Sequence, residues 1–414
     1  MRHYTSLASD AGGSCYNVPA MPAPSKGNAI IFQAGGVTAV INQSLAGIVQ
    51  EGLGHFGEIY GAVHGLEGIL KREFRDLRRQ PPRVWRAVAR TPGAALGSAR
   101  RKLRPEEVES VMATFRRLEV RFLFPIGGND SAETAHRLAQ AARATGQPLN
   151  VVAVPKTLDN DLPETDHCPG YGSSARFVAL AAMGAGRDAE SMGAASPITI
   201  IEVMGRNAGW LAAAAGLAKR EERDAPHLVC LPETAFDEER SLARMEDAYR
   251  RWGYALAVVN ENLKGPDGPL GHLGEPLYVD DFGHKYYQSP AQYLAERLSR
   301  RLGVRVRHEK PGTIQRSLAP CTSTVDAREA FEVGQAAVRY ALEGHTDVMV
   351  TLVREAGPRY HCTTDLAPLE AIAGKERLLP PEYIDPATGM PTEAFLKYAR
   401  PLIGAPLPRF GRLQ

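Results

Sequence analysis

The stretch LNVVAVPKTLDND at residues 149–161 decides how the rest of the chain is read. Its first half is a short, unbroken, β-branched run, as expected of a parallel strand covered on both faces. Its second half, Pro155 to Asp161, places one lysine and two aspartates within six residues: Lys156, Asp159 and Asp161. A lysine beside closely spaced carboxylates matches what phosphoryl transfer needs. It offers a cation for the moving charge, a base for the attacking hydroxyl and oxygen ligands for a metal. On an extended segment Asp159 and Asp161 would face the same side, with Asn160 between them. The plain alternative is a capped turn whose aspartates satisfy backbone N–H groups. The upstream GGNDS, Gly127 to Ser131, weighs against that alternative, because it is a glycine turn ending in a further acidic residue, Asp130.

Outward from this stretch the same unit recurs. Asn28 to Gln33 reads as a strand, Gly35-Gly36 as a turn and Val40 to Glu51 as a helix. Arg121 to Ile126, GGNDS and Ala132 to Thr145 repeat the pattern, and Pro197 to Val203, His227 to Leu231 and Tyr254 to Val259 add strands. Strand, glycine turn, helix is the signature of an α/β fold with largely parallel sheets. In such turns glycine lets the backbone approach a phosphate, and the following helix N-terminus supplies N–H groups and partial positive charge. Gly35, Gly36 and Gly128 are therefore candidate phosphate contacts, although αβ connections also use glycine for geometry alone.

The 414 residues are enough for two domains and a large core. A charged fraction of 23% and a net charge of +2 are ordinary for a globular protein and point to neither nucleic acid nor an acidic membrane. The five cysteines form no CxxC pair, which argues against a disulfide framework or a zinc site and fits a reducing, cytoplasmic compartment. Neither a secretory leader nor a membrane span is visible. The arginine-dense run from Lys71 to Arg104 reads chiefly as a solvated helix face. Residues 376–414, rich in proline and weak in periodicity, read as a surface wrap or part of an oligomer interface.

Within the acidic loop Asp159 is the candidate general base, Asp161 a candidate metal ligand or support for its neighbour, and Lys156 a point charge for phosphoryl oxygens. Arg206 in MGRNAGW and Arg316 in GTIQRS suit a sugar phosphate, because the guanidinium fork matches phosphate oxygens. Glu233 in LPET ends a strand, where ligands bind in open α/β sheets, and is a candidate acceptor for sugar hydroxyls.

Taken together, QAGGVTAVIN, LGSAR, GGNDS, PKTLDND, MGRNAGW, LPET and GTIQRS occur in the order of the phosphofructokinase family, and the chain resembles its pyrophosphate-dependent branch. The resemblance implies two Rossmann-like three-layer αβα domains. Residues 28–170 with about 317–365 would hold the diphosphate and magnesium, and residues 171–316 with about 366–414 the fructose 6-phosphate, after a lead-in at 1–27. It implies Gly35 in the donor loop, Arg100 steadying the transferred group, and Asn129 where the family usually has a magnesium-binding aspartate. Thr157, Leu158 and Asp159 would meet the acceptor sugar, and Met204, Gly205, Arg206, Glu233, Thr313 and Arg316 would line its pocket. Asp130 and Lys156 stand where ATP-using members have glycine, so a carboxylate would exclude the nucleotide α-phosphate and a lysine would neutralise a short diphosphate. Thr313 replaces the usual histidine or tyrosine, and Pro197 an arginine donated across a subunit boundary. The implied reaction is reversible, Mg2+-dependent transfer from pyrophosphate to the 1-hydroxyl of fructose 6-phosphate, in a homodimer or homotetramer. ATP as donor, sedoheptulose 7-phosphate as acceptor, and a non-catalytic sugar-phosphate sensor are the alternatives.

Overall fold

Gln33, Gly127 and Pro155 end neighbouring parallel strands, and the loops that leave them converge on one site. The computed structural model describes residues 27–266, 268–270, 278–279, 285–286 and 288–413. The lead-in expected at 1–27 lies, except for Gly27, outside the described residues. Strands β1 (Asn28–Gln33), β2 (Ile59–Ala62), β3 (Phe74–Asp76), β4 (Val120–Gly127) and β5 (Asn150–Pro155) belong to the first sheet. Strands β6 (Ile198–Val203), β7 (Leu228–Cys230) and β8 (Ala255–Asn260) belong to the second. Two small ribbons follow, β9 (Lys264–Gly265) with β10 (Gly268–Pro269) and β11 (Tyr278–Val279) with β12 (Lys285–Tyr286). The last strands are β13 (Val306–Glu309), β14 (Val348–Arg354) and β15 (Cys362–Pro368).

The first sheet has the order β15-β14-β5-β4-β1-β2-β3. Its interior pairs are parallel, and only the edge strands β3 and β15 run antiparallel to their neighbours. The register pairs Gln33 with Ile126 and Gly127 with Pro155, so three loops leave at one level. Apolar cores cover both faces, one around Phe115 and Leu138 and the other around Phe124 and Val333. That double coverage is why these strands are continuously apolar rather than alternating. The second sheet, β13-β6-β8-β7, is parallel throughout and likewise covered on both faces.

The chain returns to the first sheet through the helix Thr324–Leu342, which packs on the helix Ile41–Gly52. A Cβ on Gly47 would stand 2.2 Å from the Phe331 carbonyl, and one on Gly334 2.2 Å from that of Ser44, so this crossing needs glycine on both helices. The second return differs from expectation. β15 continues to Pro368, and Leu369 and Ile372 fill the first core, so a division at about residue 365 would cut a strand. The C-terminal segment also differs from a surface wrap. Leu379, Phe395, Tyr398, Leu402 and Ile403 are buried in the core of the second half. Its short, proline-punctuated elements bury apolar residues one at a time, so no periodicity announces them. The arginine run does carry a solvated helix, Pro82–Ala89, with no buried residue. No helix among the described residues is long and apolar enough to cross a membrane.

Candidate active site

The C-terminal ends of the two sheets face a cavity of about 570 Å³. Gly35 and Gly36 after β1, Gly128 to Ser131 after β4, and Lys156 to Asp159 with Asp161 after β5 line it from the first sheet. Met204 and Arg206 after β6, Glu261 after β8, and Arg316 line it from the second. Arg100, Arg101 and Lys102 close one side. Parallel sheets bring their ligand-binding loops to this edge because crossover connections put every strand C-terminus on the same side.

Glycine is required at the first turn. Gly35 has φ 76°, and a Cβ there would stand 3.3 Å from Lys156 Nζ. A Cβ on Gly36 would stand 2.6 Å from an Arg316 guanidinium nitrogen and 3.9 Å from one of Arg100. The bare turn thus lets three cations from different elements gather around one point. Lys156 donates to the Gly36 carbonyl at 2.7 Å and is only 4% exposed. Burial pulls its ammonium down to about 8, with Arg316 and Arg206 acting in the same direction and Asp159 and Asp161 opposing.

The acidic loop is not the extended segment its sequence suggested. Asn160 takes a left-handed conformation at φ 57°, held because its side-chain oxygen accepts from Cys168 N–H at 2.9 Å and its amide donates to the Tyr398 hydroxyl at 2.9 Å. Both aspartates still reach the cavity, through a turn rather than a pleat. Thr157 Oγ1 accepts from Asp159 N–H at 3.0 Å and so braces the turn. Burial pushes the Asp159 carboxyl up to about 7, the Asp161 charge adds to this, and the Arg206 guanidinium opposes it. The Arg206 Nε lies 3.9 Å from Asp159. Asp161 is also raised, first by burial, and its Oδ1 is buried with no hydrogen-bond partner among the described residues.

On the second sheet Arg206 is held at φ 49°, its N–H donating to Glu261 at 3.3 Å, and buried Gln315 accepts from Met204 N–H at 3.1 Å. Gly205 (φ 143°) shapes this turn without lining the cavity, since a Cβ there would stand 2.6 Å from the Ala208 carbonyl.

Besides Gly205, two expected contacts, Glu233 and Thr313, are absent from the cavity wall. Glu233 follows β7, the edge strand, and its carboxylate accepts from Gly209 N–H at 2.7 Å and Leu379 N–H at 2.8 Å, so it joins backbone segments. The acidic residue that does reach the cavity is Glu261, after β8. Both end apolar runs, and only strand order separates them, because β8 lies next to β6 and β7 lies beyond it. Thr313 is exposed and its carbonyl accepts from Ser317 Oγ at 2.9 Å; its side chain does not line the cavity. Asn129 lines the cavity, and its amide donates to the Lys375 carbonyl at 2.8 Å. Asp130 stands at the rim and is paired with Lys102 at 3.1 Å, a partner hidden in the basic run.

The arrangement offers a near-neutral base, a buried ammonium and arginines on both sides of the base, as transfer of an anionic group to a hydroxyl requires. The family model described as phosphofructokinase matches residues 28–341. The chain is 38% identical over 389 residues to a pyrophosphate–fructose 6-phosphate 1-phosphotransferase of Xanthomonas campestris pv. campestris, covering 92% of this chain and 93% of that one. It is 36% identical over 393 residues to an enzyme of the same name from Halomonas elongata, covering 92% and 93%. Its structure is similar to a crystal structure of a pyrophosphate-dependent phosphofructokinase from Nitrosospira multiformis, with a TM-score of 0.84, 35% identity and coverage of 93% and 94%.

Proposed function

The chain belongs to the phosphofructokinase family, and from that membership and the chemistry of the cavity we infer that it is a pyrophosphate-dependent phosphotransferase. It transfers a phosphoryl group from pyrophosphate to the 1-hydroxyl of fructose 6-phosphate, giving fructose 1,6-bisphosphate and orthophosphate. The observation that carries this reading is the buried Lys156 beneath the Gly35–Gly36 turn, in the same cavity as a base raised to about 7.

The diphosphate lies against Gly35, Gly36 and Gly128, with Lys156 and Arg100 on the transferred group. Asp159 takes the proton of the attacking hydroxyl, and a carboxylate near neutrality suits this because it is ionised yet basic enough to hold the proton. Arg206 and Arg316 hold the sugar phosphate, and Glu261 and the Met204 backbone frame the sugar. The unpartnered Asp161 Oδ1 is a hard oxygen donor that would fit Mg2+, which leaves the Asp159 carboxylate free for the proton. When bound, the ion shields the charge of the diphosphate.

The donor preference rests on space more than on bare charge. Asp130 is compensated by Lys102, and together they occupy the rim where a nucleotide would have to pass. A cytoplasmic homo-oligomer, dimer or tetramer, is part of the proposal.

Initial rates with fructose 6-phosphate and Mg2+, comparing pyrophosphate with ATP, test it. Strong preference for pyrophosphate, with reverse flux from the bisphosphate and orthophosphate, is expected. Preference for ATP would overturn the donor assignment, and the absence of turnover with either would overturn the reaction.

A further inference from the structure

Three consecutive residues outside the cavity, Lys375 to Arg377, contact the donor turn, the base loop and the acceptor turn. On the donor side, Asn129 donates its amide to the Lys375 carbonyl at 2.8 Å. On the acceptor side, Asn207, one residue past Arg206, donates to Glu376 at 2.8 Å and accepts from Asn262, the neighbour of Glu261, at 2.6 Å. Between them, Arg377 N–H donates to the Asp161 carbonyl at 2.7 Å. The Arg377 guanidinium donates to the carbonyls of Asn160 at 2.9 Å and Asp166 at 2.7 Å, and also to that of Thr165. Its face stacks 4.5 Å from the centroid of Trp210, whose indole N–H donates to the Arg377 carbonyl at 3.1 Å.

Arg377 therefore spends its fork on main-chain carbonyls of the loop that carries Asp159, and no carboxylate pairs with it among the described ion pairs. This loop needs holding, because Asn160 is left-handed, a conformation less populated than the right-handed one for a residue with a Cβ, and surrounding contacts must select it. The contact at Asn129 also has a chemical direction. The Lys375 carbonyl is an acceptor, so residue 129 must present a donor; an aspartate there would set two acceptors against each other.

We propose that the segment Lys375–Arg377 is a crosspiece that fixes the base loop and joins the donor turn to the acceptor turn, with Arg377 the positioning residue for Asp159 and Asn129 the anchor on the donor side. The amide at residue 129, where an acidic metal ligand was expected, is then explained by what it donates to. The proposal rests on Asp159 being the base, as inferred above.

The test compares Asn129→Asp, Arg377→Lys, Arg377→Met and Asp159→Asn in the full chain, measuring kcat, KM for both substrates, the Mg2+ concentration for half-maximal rate, and thermal melting. Asn129→Asp should lower kcat at least tenfold, leave both KM values within threefold, and not lower the Mg2+ requirement. Arg377→Met should lower kcat more, and Arg377→Lys should recover part of it, because an ammonium keeps the charge but cannot span three carbonyls. If Arg377→Met does not fold, Arg377→Lys and the near-isosteric Asn129→Asp decide. The proposal is overturned if Asn129→Asp tightens Mg2+ at equal or higher kcat, or if the Arg377 variants fold and keep wild-type kcat. Retained activity in Asp159→Asn would instead overturn the assignment of the base, and with it the object that the crosspiece positions.

Discussion

The cavity has a lysine and an aspartate at each end, and the two pairs do different things. Lys156 and Asp159 sit at its floor, the lysine 4% exposed and the aspartate side chain 14% exposed. Lys102 and Asp130 sit at its rim, 3.1 Å apart, with side chains 70% and 58% exposed. At the floor, burial penalises both charges, and the Asp159 carboxyl rises to about 7 while the Lys156 ammonium falls to about 8. Two groups that water would hold far apart in pKa are brought almost together, where each can exchange its proton near neutral pH. At the rim, water keeps screening the charges, and an exposed pair of this kind contributes roughly 0–1 kcal/mol. The same residue types make the proposed catalytic set where the fold removes water, and the proposed gatepost where it does not.

The comparison is broken most severely at the floor. Asp159→Asn should lower kcat by about 10²–10⁴ while the protein still melts as a folded chain. A loss below tenfold would mean that another group takes the proton. Lys156→Met should follow, at about 10²–10³. A unit charge near a phosphoryl oxygen is worth roughly 4 kcal/mol at about 4 Å and an effective dielectric near 20, part of which desolvation offsets.

The pH profile sharpens the same contrast. As the proposed base Asp159 must be deprotonated, so the rate should climb as pH passes about 7. In its proposed role Lys156 must be charged, so the rate should fall above about 8. The optimum should be narrow, and Lys156→Met should remove the alkaline limb; a broad plateau from pH 5 to pH 9 would show that burial does not set these groups.

The smallest effect is expected at the rim. Lys102→Met should change kcat by less than about threefold and raise KM for pyrophosphate severalfold, and added salt should shrink the difference because the pair is exposed. A rim variant as damaging as a floor variant would erase the distinction.

Much of this was legible beforehand. The strands, the glycine turns and the PKTLDND loop are local features, and their residues meet in one cavity. Glu233 and Glu261 show where legibility stops. Each follows a short apolar run, and the chain does not say that one strand lies at a sheet edge while the other neighbours β6. Lys102 was lost in a run of arginines, because a solvated basic face and a rim residue look alike in one dimension. The C-terminal segment was misjudged for a related reason. Its buried residues are spread through turns, and their apolar partners lie in the second half's sheet and helices.

By itself the sequence determined the α/β class, the recurrence of strand, glycine turn and helix, and the residue types of the acidic loop. These follow from steric limits on glycine, the apolar demand of doubly covered strands and the charge each side chain carries. Only the tertiary structure decided which loops share a cavity, which acid reaches it and how far Lys156 and Asp159 are shifted. Those depend on strand order and on the exclusion of water by residues distant in sequence, and the main-chain carbonyls that Asn129 and Arg377 hold carry no mark in the sequence.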